Sequence, residues 1–251
     1  LPKHCSPEKQ LRLFATAVQR NPVLLQCDDL SLWNALITSS QLGLDLTGVG
    51  GQAYVIPYKN GKTGNYEAQF QVGSRGLVEL ARRSGEISTI YSVCVFDADQ
   101  FSMTLGDDPK IVHEPNYKDK GYGDADHVVG AYAVAKLKDG SIQREYMTRT
   151  QLDAIRARSK ASNNGPWVTD RCEMYRKTVT KRLCKMLPQS TEMATAMDLS
   201  DRADVGKSQW TDEAFDATFE ETNSEPAQSV SEPEPEPAQR PLIEQVDELI
   251  G

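Results

Sequence analysis

The fold is decided by the stretch at residues 159–188, SKASNNGPWVTDRCEMYRKTVTKRLCKMLP. A polar loop leads into a Gly165-Pro166-Trp167 corner, and a basic helix follows in which apolar residues recur at spacings of 3 and 4. These apolar positions are Cys172, Tyr175, Val179, Leu183 and Met186. One side of the helix is therefore expected to pack into a core, with the rest of the chain arranged around it.

Another side of the same helix carries crowded cations. Three lysines recur every four residues, at Lys177, Lys181 and Lys185. Arg171 and Arg182 lie beside them, and the helix contains one acid, Glu173, near its start. Like charges at this spacing repel by about 0.2–0.5 kcal/mol per pair. The pattern favours an external polyanion that supplies the missing negative charge, and the alternative is a solvated basic face.

The distribution of charge supports a polyanionic partner more than the net charge does. The chain has 251 residues and a formal net charge of −8. Residues 191–251 hold 16 acidic and 3 basic residues, whereas residues 1–190 hold 20 acidic and 25 basic ones. A mildly basic domain followed by an acidic tail is typical of proteins that bind nucleic acid.

Cysteine usage and hydropathy limit the cellular setting. The five cysteines are scattered, with no CxxC pair and no His/Cys cluster at metal-binding spacing. The sequence contains no apolar run of about 18 residues and no signal peptide pattern. We therefore expect a protein of a reducing cytoplasm with no membrane association. Because the chain begins at Leu1 without Met, we expect some N-terminal sequence to be missing.

The first third of the chain predicts two helices and a hairpin. Ser6-Pro7 starts a helix that ends at Asn21-Pro22, and a second helix runs from about Asp29 to Gly43. Residues 52–57 and 66–72 read as two strands joined by a loop that carries Lys59 and Lys62. Gly61-Lys62-Thr63 ends like a P-loop but lacks the earlier glycine and the following helix. We interpret the loop as a mobile basic tip that could contact a phosphate backbone.

A Gly73-Ser74-Arg75-Gly76 turn opens the next predicted helix. Arg75 lies in its first turn, where the helix dipole disfavours a cation. An external phosphate would explain that position, and so would an internal carboxylate.

Residues 86–147 read as a β-rich half. Strands are predicted at 87–96, 101–105, 128–138 and 141–147, with Asp139-Gly140 as a hairpin turn. Thr148 caps a short helix that bears Arg156 and Arg158. The predicted fold class is therefore α+β: mixed helices with a small antiparallel sheet and a hairpin.

Beyond residue 190 the composition changes. We predict an acidic disordered linker over 191–240, because low apolar content cannot offset the entropy of ordering. Residues 241–251 regain an amphipathic spacing and are predicted to form a partner-docking helix. Its apolar positions are Leu242, Ile243, Val246, Leu249 and Ile250.

The sequence shows little support for catalysis. Three dispersed histidines, at positions 4, 113 and 127, form no metal site, and no serine-centred elbow is present. Asp107, Asp108 and Lys110 suggest a metal-dependent nuclease centre, but a further acid–x–lysine on the next strand is missing. A binding function remains, with basic groups beside aromatic faces. For Trp167, the two interpretations are a base-stacking platform and a core residue beneath the corner.

Several separated motifs in this order carry a family resemblance. They are SQLGLDL (40–46), GQAYVIPY (51–58), FQVGSRGLVELARRSG (70–85), VVGAYAVAKLKDG (128–140), MTRTQL (147–152) and the stretch at 159–188. Together they resemble the RecT family of phage and prophage single-strand annealing recombinases, over roughly residues 1–190. The resemblance implies a fold related to Redβ and Rad52, with 1–190 as the DNA-binding, annealing and oligomerisation domain.

The resemblance also implies an activity. Such proteins coat single-stranded DNA and anneal it to a complement without ATP, assemble into rings or helical filaments, and serve DNA recombination and repair. It further implies a 5′–3′ exonuclease partner, contact with the host single-strand-binding protein, and a cytoplasmic location in a bacterial host cell. The residues that it assigns to DNA are Arg75, Lys160, Trp167 and the basic helix at 171–185.

The sequence thus predicts ATP-independent annealing with no catalytic centre and no cofactor, with Mg²⁺ assisting annealing without a dedicated protein site. The expected partners are single-stranded DNA, the annealed duplex and further copies of the chain. The predicted DNA-binding residues are Lys59, Lys62, Arg75, Arg156, Arg158, Lys160, Trp167, Arg171, Lys177, Lys181, Arg182 and Lys185. The alternatives are a protective single-strand DNA-binding protein without annealing activity and a metal-dependent nuclease.

Overall fold

The computed structural model describes residues 6–61, 63–207 and 209. Its helices are α1 (Pro7–Arg20), α2 (Asp29–Leu42), α3 (Ser74–Arg83), α4 (Arg149–Arg158), the short α5 (Pro166–Thr169), α6 (Arg171–Cys184) and α7 (Thr191–Asp204). Its strands are β1 (Ala53–Lys59), β2 (Tyr66–Val72), β3 (Ile87–Phe96), β4 (Gln100–Thr104), β5 (Lys110–Glu114), β6 (Val128–Leu137) and β7 (Ile142–Thr148). The predicted α+β class is confirmed.

A three-stranded antiparallel sheet in the order β3-β6-β7 supports the basic helix. The helix α6 packs on this sheet and buries Tyr175, Val179 and Leu183, each at most 1% exposed. The predicted apolar side is confirmed at these three positions. Met186, 70% exposed, lies beyond the end of α6 and is not part of the core.

The strands β1 and β2 form the predicted antiparallel hairpin, with Ala53 opposite Val72 and Lys59 opposite Tyr66. Helix α2 packs against β2. Its Asp28 cap accepts a hydrogen bond from the backbone of Ser31, and Gly43 ends it in the left-handed conformation with φ 59°. The hairpin, α2 and α7 share one core with the main sheet.

The pairing of β4 with β5 was not predicted from the sequence. Asp107 and Asp108 lie exposed in the turn between these strands. Beneath the β4–β5 hairpin, the buried side chain of His113 contacts Asp99 at 3.0 Å and the Tyr132 hydroxyl at 3.2 Å. These contacts anchor the β4–β5 hairpin to β6 through Tyr132.

Helix α7 corrects the predicted start of the acidic linker. Residues 191–204 form a regular helix, started by the Ser190 side chain, and its inner side packs into the core. The buried side chains of α7 are Met193, Ala196, Met197, Leu199, Ser200 and Ala203. The acids of α7 lie outside this buried side, so a high acid count did not prevent its burial. Residues 210–251, which include the predicted docking helix and its five apolar residues, lie outside the described part of the chain.

Candidate nucleic-acid interface

Two lysines at the end of α6, Lys181 and Lys185, contact carboxylates of α7. Lys181 Nζ lies 2.8 Å from an Asp201 oxygen and 2.6 Å from an Asp204 oxygen, and the Lys181 side chain is only 11% exposed. Lys185 Nζ lies 3.0 Å from Asp201. The missing negative charge is thus supplied from within the chain. For Lys181 and Lys185, charge crowding alone therefore does not indicate an external polyanion, because carboxylates of α7 already compensate both lysines.

These contacts change the ionisation of the groups involved. Burial opposes ionisation of Asp201, but hydrogen bonds from Lys181 and Lys185 outweigh it and bring the pKa of Asp201 below its ordinary value. Burial lowers the pKa of Lys177, and Lys181 adds to this effect while Asp204 opposes it. Lys177 has no carboxylate within ion-pair distance among the described residues, so its charge is the least compensated on this side of α6.

A cleft of about 330 Å³ lies between α4, α6 and the end of α7. Six of the predicted residues line it: Arg158, Trp167, Lys177, Lys181, Arg182 and Lys185. Asp201 and Asp204 line the same cleft, so it is a basic site that carries its own counter-charge. Arg182 also pairs with Glu145 at 2.9 Å.

Trp167 forms part of the cleft wall rather than a free platform. It is 4% exposed, and its ring meets Tyr175 edge to face with 6.2 Å between the centroids. Both observations support the core interpretation. The assignment of Trp167 as a base-stacking residue is contradicted, because a base needs an accessible ring face.

Arg171 lies outside the cleft. Its guanidinium contacts Asp126 at 2.6 Å and joins the start of α6 to the loop before β6. The hydrogen bond with Asp126 is the main cause that raises the pKa of Arg171 and lowers that of Asp126. Arg171 therefore has a clear structural role.

The loop after α4 carries two further predicted cations. Arg156 donates a hydrogen bond to the Ser162 carbonyl at 3.1 Å and braces the loop. Lys160 is exposed, and its Nζ lies 4.1 Å above the ring centroid of Tyr58 on β1. The loop thus connects the cleft to the hairpin.

At the other end of the hairpin, glycines bring Arg75 against the loop before β1. A methyl group on Gly73 would lie 2.1 Å from the Gly51 carbonyl oxygen, and one on Gly76 would lie 2.1 Å from that of Gln52. Only glycine permits this approach of two backbones. It holds Arg75, which is exposed, at the first turn of α3.

The predicted cations fall into two groups. Arg171, Lys181, Arg182 and Lys185 have carboxylate partners. In the part of the chain that the structure describes, no carboxylate pairs with Lys59, Arg75, Arg156, Arg158, Lys160 or Lys177. Lys62 lies outside the described residues. Which cations have carboxylate partners could not be predicted from the sequence, because every acidic partner is distant along the chain.

The described residues contain no group of three or more His, Cys, Asp or Glu side chains placed to hold a metal ion. The same residues include no helix that is long and apolar enough to cross a membrane.

Comparisons with known proteins identify similar sequences. A protein-family sequence model described as RecT family matches residues 8–213. The chain is 41% identical over 204 residues to Protein RecT of Escherichia coli (strain K12), and the aligned region covers 80% of this chain and 74% of that protein. It is 27% identical over 231 residues to Uncharacterized protein YqaK of Bacillus subtilis (strain 168), with coverage of 91% and 73%.

Proposed function

The chain belongs to the RecT family, whose role is in DNA recombination and strand annealing, and we propose that it binds single-stranded DNA and anneals complementary strands without ATP. The observation that carries this proposal is the cleft that gathers Arg158, Lys177 and Arg182 with Lys181 and Lys185. A groove of cations suits a phosphate backbone, whose contacts position a strand without reading its sequence.

In the proposed mechanism the cleft holds the phosphates and leaves the base edges free. A second strand then pairs with the first, and Watson–Crick pairing supplies the specificity. Pairing is itself favourable, so the reaction requires neither ATP nor a catalytic centre. Mg²⁺ would act by screening phosphate repulsion, without a protein site.

Phosphate must compete with the carboxylates of α7 inside the cleft. A phosphate that approaches Lys181 or Lys185 meets Asp201 and Asp204, which already neutralise both lysines. Lys177 and Arg158 have no such partner in the described chain. We therefore assign the first phosphate contacts to Lys177 and Arg158, and a secondary role to Lys181 and Lys185.

We also propose that several copies continue the groove in a ring or helical filament, because one cleft of this size spans only a short piece of strand. A 5′–3′ exonuclease that exposes the strand and the host single-strand-binding protein are the proposed partners. The proposed setting is the cytoplasm of a bacterial host cell.

An annealing assay with fluorescent complementary oligonucleotides tests the proposal. The protein should accelerate duplex formation over the strands alone, and added ATP should change nothing. Strand binding with no acceleration would instead indicate a protective single-strand DNA-binding protein. Sustained cleavage of labelled DNA with Mg²⁺ or Mn²⁺ would indicate a nuclease.

The variant Lys177→Gln, compared with Lys110→Gln on exposed β5, tests the site itself. Each phosphate contact contributes about −0.7 to the salt slope for single strands. The Lys177 variant should lose about that much of the slope, and the Lys110 variant should retain all of it. An unchanged slope for Lys177→Gln would remove this lysine from the interface.

A further inference from the structure

The outer side of the β1–β2 hairpin connects two cations that have no carboxylate partner in the described chain. Arg75 lies at one end of β1, beside Gly51, and Lys160 lies at the other end, above Tyr58. Between them runs a strand with exposed apolar residues. A surface with unpaired cations at both ends and aromatic groups between them is typical of single-strand nucleic-acid binding.

The alternation of β1 creates this surface. Ala53 and Val55 point into the core at 0% and 7% exposure, whereas Tyr54 and Ile56 are 41% and 39% exposed. Tyr58 follows on the same side, since side chains two residues apart share a face of a strand. Tyr54 and Tyr58 are about 13 Å apart along β1 at about 3.3 Å per residue.

The ring of Tyr54 is held at both edges. A methyl group on Gly48 would lie 3.0 Å from one ring edge, and one on Gly73 would lie 3.1 Å from the other. A methyl group on Gly51 would lie 3.6 Å from the Tyr54 hydroxyl and 3.4 Å from the Arg75 side chain. Tyr54 is thus a partly exposed aromatic group in a fixed orientation next to an unpaired cation.

The other end of the strand fixes a cation rather than a ring. The ammonium of Lys160 lies over the Tyr58 ring, and Gly206 packs against both side chains. The Tyr58 hydroxyl is buried and has no hydrogen-bond partner among the described residues. Tyr58 therefore supports the Lys160 ammonium at this end of β1.

Cations outnumber acids along the described part of this surface. Glu67 lies opposite Tyr58 across the hairpin, and its carboxylate accepts a hydrogen bond from Asn60 at 2.5 Å but keeps its negative charge, because an amide donor is neutral. The Asp204 carboxylate is directed to Lys181, not to Lys160. Among the described residues along the hairpin, the cations without carboxylate partners are Arg75, Lys59 and Lys160, and they favour a polyanion over a second copy of this chain.

We propose that the outer side of β1 is a base-stacking surface for single-stranded nucleic acid, with Tyr54 as the platform and with Arg75 and Lys160 as phosphate contacts at its two ends. The inference rests on the proposed function, since it names a second segment of the same strand path. It moves the stacking role from Trp167, which is buried, to Tyr54, which is exposed.

The test compares Tyr54→Leu, which removes the ring, with Tyr54→Phe, which retains it. Loss of one stacked base should weaken single-strand binding about 5- to 150-fold, and Tyr54→Phe should bind like the unmodified protein. The salt slope of Tyr54→Leu should be unchanged, because no charge is removed. Tyr117→Leu is the control, since Tyr117 is 72% exposed and lies far along the chain in another loop. Thermal unfolding checks that every variant is folded.

Each outcome has one meaning. If the unmodified protein binds single strands and Tyr54→Leu binds equally well, the stacking surface is wrong and the proposed function stands. If the unmodified protein does not bind single strands, both fail. If Tyr54→Leu dissociates an oligomer formed without DNA, the surface is a subunit interface and the proposal is overturned. Ultraviolet cross-linking to oligonucleotides with 5-iododeoxyuridine should label Tyr54, and labels confined to other segments would also overturn it.

Discussion

The ammonium of Lys181 lies 2.6 Å from the Asp204 carboxylate, so a cation of the candidate DNA cleft is neutralised by the chain's own last described helix. Asp201 completes this pairing at 2.8 Å. Binding of a phosphate at this point exchanges one anion for another. The affinity of the cleft is therefore set by its carboxylates as well as by its lysines.

The first prediction is that Asp204→Asn strengthens single-strand binding. Removal of one carboxylate a few ångströms from the phosphate path relieves repulsion of about 1 kcal/mol, or about fivefold in affinity. The matched control is Asp198→Asn on the same helix, because Asp198 pairs with Arg202 and does not line the cleft. Fluorescence anisotropy at fixed salt measures both. Equal gains would show that only net charge matters.

The second prediction is that Arg75→Gln weakens DNA binding without lowering the stability of the chain. Arg75 places a cation at the start of α3, which the helix dipole disfavours by about 0.3–1 kcal/mol. Arg75→Gln should therefore leave stability unchanged or slightly higher, while DNA affinity and salt slope fall. Arg82→Gln at the end of α3 should do the reverse, with slightly lower stability and unchanged binding. A parallel loss of stability and binding in Arg75→Gln would contradict the assignment.

The third prediction tests the backbone approach that positions Arg75. Gly73→Ala places a methyl group 2.1 Å from the Gly51 carbonyl oxygen, so the two segments must separate. We expect a stability loss of at least about 1–3 kcal/mol in urea unfolding, with weaker DNA binding in the variant that still folds. Gly61→Ala in the hairpin loop is the control, since nothing lies within 4 Å of the added methyl. Similar effects for the two variants would show that the approach is not tight.

The fourth prediction is a pH dependence of stability. The hydrogen bond that the His127 ring donates to the Asp97 carboxylate, at 2.9 Å, is the main cause that raises the pKa of His127. The folded chain then binds more protons than the unfolded chain, so this contribution is complete below the unfolded value of 6.5 and is lost as pH rises through the folded pKa. Wild-type Tm should fall over this interval more than that of His127→Gln. Parallel Tm profiles would exclude the contribution.

The sequence predicted local structure well because local signals set it. The strand at 87–96 was placed with its observed bounds, and the Thr148 capping box marks the start of α4. The pairing of Lys181 with Asp204 was not predictable in the same way, since it depends on how two helices pack. Trp167 kept two interpretations, a core residue and a base-stacking platform, because the sequence alone does not show whether a side chain is exposed. Tyr54 was visible as an aromatic residue, but its free side followed only from the hairpin register.

Helix α7 shows why a high acid count misled the boundary prediction. The buried positions of α7 recur at helical spacing, at Met193, Ala196, Met197 and Ser200, between exposed acids. Average composition over 191–240 hid this local period. A window of one helix, rather than fifty residues, would have detected it.

The last prediction is that the folded unit extends to Gln209 rather than to residue 190. Gln209 is 4% exposed, and its side-chain amide donates to the Phe70 and Leu199 carbonyls while accepting from the Phe70 N–H at 2.7 Å. Each buried group left unpaired costs about 1–3 kcal/mol. Gln209→Ala should therefore destabilise the chain by about 2–4 kcal/mol in urea unfolding, with Gln189→Ala, an exposed glutamine with one backbone contact, as the control.

Truncation tests the same boundary on a larger scale. A chain that ends at residue 190 loses all of α7 and exposes the core that Met193 and Met197 cover, so it should aggregate or unfold. A chain that ends at residue 210 retains α7 and Gln209 and should unfold cooperatively. Circular dichroism and gel filtration distinguish the two. A well-folded 1–190 fragment with the full chain's Tm would show that α7 adds nothing to the core. In that case Asp201 and Asp204 would belong to a detachable element, and the cleft would be a more open cationic site than the one described.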